Sequence, residues 1–248
     1  MDVDYDQMAP GYDAHRQGGG PYLDTLLRLA EQSAAARALE LGAGTGNNTA
    51  AFLRGSSCAL TALEPSQGML ERARAKRLPV HYVRGAAEYL PFAANTFGFV
   101  FGVYMLHYVA DLEALFRECR RVLDSGCAAF VTAPRSFIRQ HPMNAYFPSF
   151  AEIDLARFQP ESHIREAFHA AGFSDVTAGH LVAEPQPIDH AYVERIAGKF
   201  ISTYALLPPA EFERGLAHLR HDVGQKGRLD TPMVWETLIV SGRVDQEI

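Results

Sequence analysis

Residues 38 to 47, Ala-Leu-Glu-Leu-Gly-Ala-Gly-Thr-Gly-Asn, restrict the fold more than any other stretch of the chain. Leu39 and Leu41 suit a strand packed on both faces, with an acid, Glu40, two places before the first glycine. Gly42, Gly44 and Gly46 permit positive φ and close backbone approach before a helix that begins near Asn47. A strand that breaks into glycines and then into a helix makes the backbone itself a binding surface. The dinucleotide fingerprint G-x-G-x-x-G needs its third glycine where this chain has Asn47, so the G-x-G-x-G spacing argues against a nicotinamide dinucleotide.

A second apolar run, residues 58 to 66, ends in Glu64, about twenty residues past the glycines. In open nucleotide-binding sheets the ligand crosses the carboxyl ends of adjacent strands, so Glu64 should face Gly42 and Gly44 and accept from both ribose hydroxyls. Arg-Gly-Ala-Ala-Glu-Tyr-Leu-Pro-Phe (84 to 92), an aromatic strand-like run at 95 to 109, and a helix-to-strand passage at 121 to 134 follow in order. With Tyr-Asp-Gln-Met-Ala-Pro-Gly-Tyr-Asp at 5 to 13, these segments give a chain that resembles the class I S-adenosylmethionine-dependent methyltransferases of small-molecule type over residues 5 to 182.

The resemblance implies an α/β fold: a doubly wound, mostly parallel seven-stranded sheet of order 3-2-1-4-5-7-6, with a terminal antiparallel strand near 233 to 243 and helical lid insertions, the Rossmann-like methyltransferase fold. It implies S-adenosylmethionine as cofactor, contacted by Glu40, Gly42, Ala43, Gly44, Asn47, Glu64, Pro65, Met69, Gly102 and Val103. Tyr12 would close over the methionyl end and Arg16 would pair with the cofactor carboxylate. Two positions depart from the family pattern: Ala86 replaces an acid that accepts from the adenine amino group, and Gly98 replaces an acid that often opens the fourth strand. Adenine recognition then falls to backbone groups of Ala86 and Ala87, with Glu88 or a water as substitutes. The same departures keep a second reading open, a cofactor-binding protein of this fold that promotes a cyclisation or rearrangement without methylating. A nonenzymatic assembly partner and a nucleotide-dependent oxidoreductase are further alternatives, the last opposed by the glycine spacing.

With 248 residues and 48% hydrophobic content, the chain suits a single domain over 1 to 248. Twenty-three basic against 29 acidic residues, a formal charge of −6 and the lack of any long Lys/Arg block argue against nucleic acid and for a small-molecule acceptor. The start lacks the features of a secretory signal and no apolar run is long enough to span a bilayer, so a cytoplasmic protein without a membrane partner is expected, as monomer or homodimer. Cys58, Cys119 and Cys127 form no C-x-x-C pair, and no metal is expected.

Periodicity predicts helices over 21 to 36, 65 to 75, 112 to 123 (closed by Gly126) and 164 to 173, with Gly18, Gly19 and Gly20 as a hinge for the N-terminal segment. Two insertions break the strand–helix alternation. The first, about 135 to 160, is rich in aromatics and prolines; the second, about 186 to 230, reads as two helices split by Pro208 and Pro209. Placed beside the expected active site, they predict an apolar acceptor pocket. Oxygen is the preferred acceptor atom, and if a base assists, His107 is placed for it by motif, with His141 and Tyr146 on the first insertion next.

Overall fold

The computed structural model describes residues 5–14 and 18–244. Strands β1 (Arg37–Leu41), β2 (Ala59–Glu64), β3 (His81–Arg84), β4 (Phe97–Val103) and β5 (Leu123–Thr132) run parallel. β7 (Glu236–Val244) lies antiparallel between β5 and β6 (Ser174–Val182), giving the order β3-β2-β1-β4-β5-β7-β6 that the family resemblance implied. Pairing of Leu41 with Leu63 and with Gly102 brings the carboxyl ends of β1, β2 and β4 together. That juxtaposition builds the cleft.

Alternation along β1 sends Leu39 and Leu41 into one helical layer and Ala38 into the other. The first layer is α5 (Leu112–Val122) and α8 (Glu161–Ala170); the second is α2 (Tyr22–Gln32) and α3 (Asn47–Gly55), while α4 (Gln67–Ala75) flanks β2 and β3. α5 buries Leu112, Leu115, Phe116, Cys119 and Val122 on one face, a helical stripe, and Asp111 caps its start by accepting from Ala114 N–H at 2.9 Å. Complete burial of a side chain such as Phe116 contributes about 1.5–3 kcal/mol.

Gly126 does not close α5. The helix runs directly into β5 at Leu123, and Gly126, at φ +119, sits where a Cβ would lie 2.1 Å from the Gly98 carbonyl oxygen. It marks the point where pairing with β4 shifts register between Phe97 and Phe99. Gly98 is itself pressed against Ala35, whose Cα would stand 3.0 Å from an added Cβ, so this departure from the family pattern has a packing cause. Of the glycines at 18 to 20, expected as a hinge, Gly18 is pressed against the fold, where a Cβ would lie 1.9 Å from the Asn47 carbonyl oxygen, and Gly19 N–H donates to Asn48 Oδ1 at 3.0 Å.

The insertions form a helical cap. The first holds α6 (Arg135–Gln140), a 3-10 turn (Pro142–Ala145) and α7 (Phe150–Arg157); the second holds three helices rather than two, α9 (His190–Ala197), α10 (Ser202–Leu206) and α11 (Pro209–Lys226). Pro209 opens α11 at a position where no backbone N–H is needed. Phe147, Phe150, Tyr204, Phe212 and Leu219 interlock into a core separate from the two sheet layers. Gly215 of α11 allows the contact, since a Cβ there would lie 2.4 Å from the Tyr146 carbonyl oxygen. A short N-terminal arm, α1 (Tyr5–Met8) and a 3-10 turn (Ala9–Ala14), lies against α4. No helix among the described residues is long and apolar enough to cross a membrane.

Candidate active site

The glycine loop and Glu64 are tied to each other. Gly42, Gly44 and Gly46 all take positive φ, +69, +56 and +82. Glu64 Oε2 accepts from Gly44 N–H at 2.7 Å and Oε1 from Ser66 N–H at 2.9 Å. Burial raises the Glu64 carboxyl above the ordinary range, and these two N–H groups oppose the shift. A Cβ on Gly44 would meet nothing within 4 Å, so its open face gives directly onto the cavity.

The cavity holds about 700 Å³ and runs from the strand tips to the cap. Of the residues expected to contact the cofactor, Gly42, Ala43, Gly44, Asn47, Glu64, Pro65, Met69, Ala86, Ala87, Glu88 and Val103 all line the cavity, together with Tyr12 from the arm. The loop bearing Ala86 and Ala87 is anchored from α5: Arg121 donates to the carbonyls of Phe92 at 2.7 Å and Leu90 at 3.0 Å, and Glu118 accepts from Leu90 N–H at 2.8 Å. Glu88 Oε1 accepts from Ala110 N–H at 3.2 Å.

Three expected residues stand elsewhere. Glu40 is 1% exposed and lies beneath α3, accepting from Thr49 Oγ1 at 2.5 Å; desolvation first, and the charge of Glu64 second, raise its pKa to about 8. Gly102 is a packing position, where a Cβ would lie 2.9 Å from Met105 Cγ and 3.0 Å from Phe130 Cδ1. Tyr146 lies away from the cavity and donates to Asp222 Oδ2 at 2.9 Å, so it is corrected to a residue that ties the two insertions together. Arg16 lies outside the described residues.

The arm is held across the cleft by two aspartates that sequence reasoning passed over. Asp6 accepts from Ser66 Oγ at 2.6 Å and Gly68 N–H at 2.7 Å, at the start of α4. Asp13 accepts from Thr45 Oγ1 and from Asn47 Nδ2 at 2.9 Å, and pairs with Lys76 at 3.0 Å. The only sequence signal was the acid in each Tyr-Asp pair of residues 5 to 13.

Toward the cap, Phe137, Phe150, Phe158, Phe200 and Trp235 supply apolar walls. His107, on a 3-10 turn (Leu106–Tyr108) just past β4, lines the cavity and stacks on Phe158, 4.2 Å between centroids at 14°. His141 also lines the cavity, but Met143 N–H donates to its Nδ1 at 3.2 Å and burial lowers its pKa to about 3. That leaves a neutral imidazole with its proton on Nε2, a donor rather than the base the sequence suggested. Missed from sequence is a polar cluster on the cap: Asp154 accepts from Arg157 at 2.6 Å and from Thr203 Oγ1 at 2.8 Å, and Tyr108 donates to Ser202 Oγ at 2.6 Å.

Residues 39–131 match a family model described as a methyltransferase domain. The chain is 30% identical over 207 residues to a demethylmenaquinone methyltransferase of Roseiflexus sp., covering 70% of this chain and 84% of that protein. It belongs to the class I S-adenosylmethionine-dependent methyltransferases. A malonyl-[acyl-carrier protein] O-methyltransferase of Enterobacter lignolyticus is 30% identical over 52% of this chain and 51% of its own length. Seven of the curated relatives are spanned only in part, over 34% to 66% of their length. Among solved structures, a protein assigned as a methyltransferase of an antibiotic biosynthesis pathway in Anabaena variabilis shares the fold at TM-score 0.67 and 21% identity, covering 88% of this chain and 95% of that one. S-adenosylmethionine is the cofactor of the methyltransferase family, and the chain's own geometry fits it: an open glycine face, a carboxylate with lone pairs to spare beside it, and the backbone of Ala86 and Ala87 on the same wall.

Proposed function

We propose that the protein transfers a methyl group from S-adenosylmethionine to an oxygen of a small, largely apolar or aromatic acceptor. The observation that carries this is the single cavity in which the Gly44–Glu64 corner and the aromatic walls of the cap meet. Bound there, S-adenosylmethionine supplies a methyl group on a positively charged sulfur. Methyl displacement gains most from alignment and from exclusion of water. Glu64 would hold the ribose hydroxyls on its remaining lone pairs, the backbone of Ala86 and Ala87 would hold the adenine, and Tyr12 with the arm would cover the methionyl end. Phe158 holds the His107 ring flat, where it takes the proton of an acceptor hydroxyl, and His141 Nε2–H is a fixed donor to the pocket's edge. The name of one relative, an O-methyltransferase, supports oxygen as the acceptor atom, and that of another, a demethylmenaquinone methyltransferase, supports an apolar ring in the acceptor.

Labelled methyl donor, offered with a panel of phenolic, quinol and carboxylic acceptors, tests the reading. Label should appear in an acceptor with S-adenosylhomocysteine released in equal amount, whereas turnover of an acceptor without that release would favour the rearrangement. Gly44→Val, which fills the open face and strains a positive φ, should abolish S-adenosylhomocysteine binding in calorimetry. A folded Gly44→Val protein with wild-type affinity would overturn the cofactor placement.

A further inference from the structure

We infer that the acceptor carries an anionic group of carboxylate type and that Arg195 receives it, an inference that rests on the apolar acceptor pocket proposed above. Arg195, on α9, is half-buried and lines the cavity. Its guanidinium lies 4.3 Å from the centroid of Phe200 and 5.6 Å from that of Tyr192. The ring faces fix its plane while leaving the N–H edges, which are matched in shape to a carboxylate, to be used by something else.

No carboxylate among the described residues takes that role. Glu194, its neighbour in sequence, pairs with Arg220 at 3.1 Å, and Asp154, the acid of the cap wall, is held by Arg157 at 2.6 Å and by Thr203. Asp154 and Arg157 cancel, so the cap wall carries one positive charge over from Arg195. The cavity's other carboxylates, Glu64 and Glu88, belong to the cofactor half. A chain with a formal charge of −6 repels anions in general, which makes Arg195, the one guanidinium among the described residues that line the cavity, a selective feature rather than a general attraction. The acceptor it fits has an apolar ring or chain ending in a carboxylate.

Naphthoate and naphthamide share a ring system and differ in charge, and each can be titrated calorimetrically into protein saturated with S-adenosylhomocysteine. Naphthoate should bind the wild type about tenfold more tightly than naphthamide, the usual scale of a charge-assisted hydrogen bond. Arg195→Gln should erase that preference and Arg195→Lys should restore part of it, with S-adenosylhomocysteine affinity equal in all three proteins. Equal binding of the two compounds by the wild type, or a preference that survives Arg195→Gln, would overturn the inference while leaving the apolar pocket intact. Failure of both compounds to bind would overturn the pocket reading and this inference with it.

Discussion

Glu40 and Glu64 end neighbouring strands and yet do different work. Glu64 is bonded to the N–H groups of Gly44 and Ser66 and faces the cavity, so Glu64→Ala removes a charged acceptor and also frees the loop. A loss of about 1.5–3 kcal/mol in S-adenosylhomocysteine binding is expected, roughly ten- to hundredfold by calorimetry. Glu40 is sealed under α3, and its pKa of about 8 means the native state keeps a proton that the unfolded chain releases above the ordinary value of 4.5. Its stabilising contribution is therefore complete below that ordinary value and is lost as pH rises toward about 8. Glu40→Gln fixes the neutral form, so urea midpoints measured across this range should fall for the wild type relative to the variant; a constant difference would mean that Glu40 is ionised in the fold. Sequence made the glycines and Glu64 legible because a strand-end acid and a glycine triplet carry their meaning locally. It could not separate Glu40 from the cleft, because the sealing of that carboxyl depends on Thr49 of α3 arriving over it. Tyr146 was misplaced because its partner, Asp222, belongs to a helix whose packing no local pattern records, and Arg195 was missed because its ring partner Phe200 lies in the irregular stretch between α9 and α10, which carries no period.

At the scale of elements, α5 and α8 were readable because each presents one apolar stripe to one sheet. The cap helices are short, and their aromatics serve both one another and a cavity, which blurs the period; hence the second insertion looked like two helices where three form. α7 and α10 are joined by Asp154, Arg157 and Thr203, with side-chain exposure of 8% for Asp154 and 13% for Arg157. Asp154→Ala would leave Arg157 buried without its carboxylate, a loss of about 3–5 kcal/mol. Because this pair sits in the cap, amide exchange should accelerate in α7 and α10 before it does in β1 or β4. The arm is a weaker attachment. Lys76 and Asp13 are a quarter to a third exposed, so Lys76→Met should destabilise the closed arm by about 1 kcal/mol or less. The expected readout is a fewfold faster release of S-adenosylhomocysteine in stopped flow, with the difference shrinking as salt is raised. A release rate that does not change would show that the arm does not gate the cleft.

For the whole molecule, the proposed function implies a division of labour: strand tips for the cofactor, inserted helices for the acceptor. Phe150→Ala should accordingly weaken acceptor turnover while leaving S-adenosylhomocysteine affinity within a few-fold, and parallel losses of both would refute that division. The order of strands also has a consequence for synthesis. β6 pairs with β7 alone, and β7 fills the gap beside β5. A nascent chain can therefore assemble the five parallel strands β1–β5 while it is still emerging from the ribosome, but β6 has no place to dock until residues 236–244 have cleared the exit tunnel. Translation arrested just before Glu236 should leave a protease-sensitive β6 and cap-bearing segment on an otherwise resistant five-stranded sheet, and arrest within a linker fused after Ile248, long enough to carry β7 out of the tunnel, should make both resistant together.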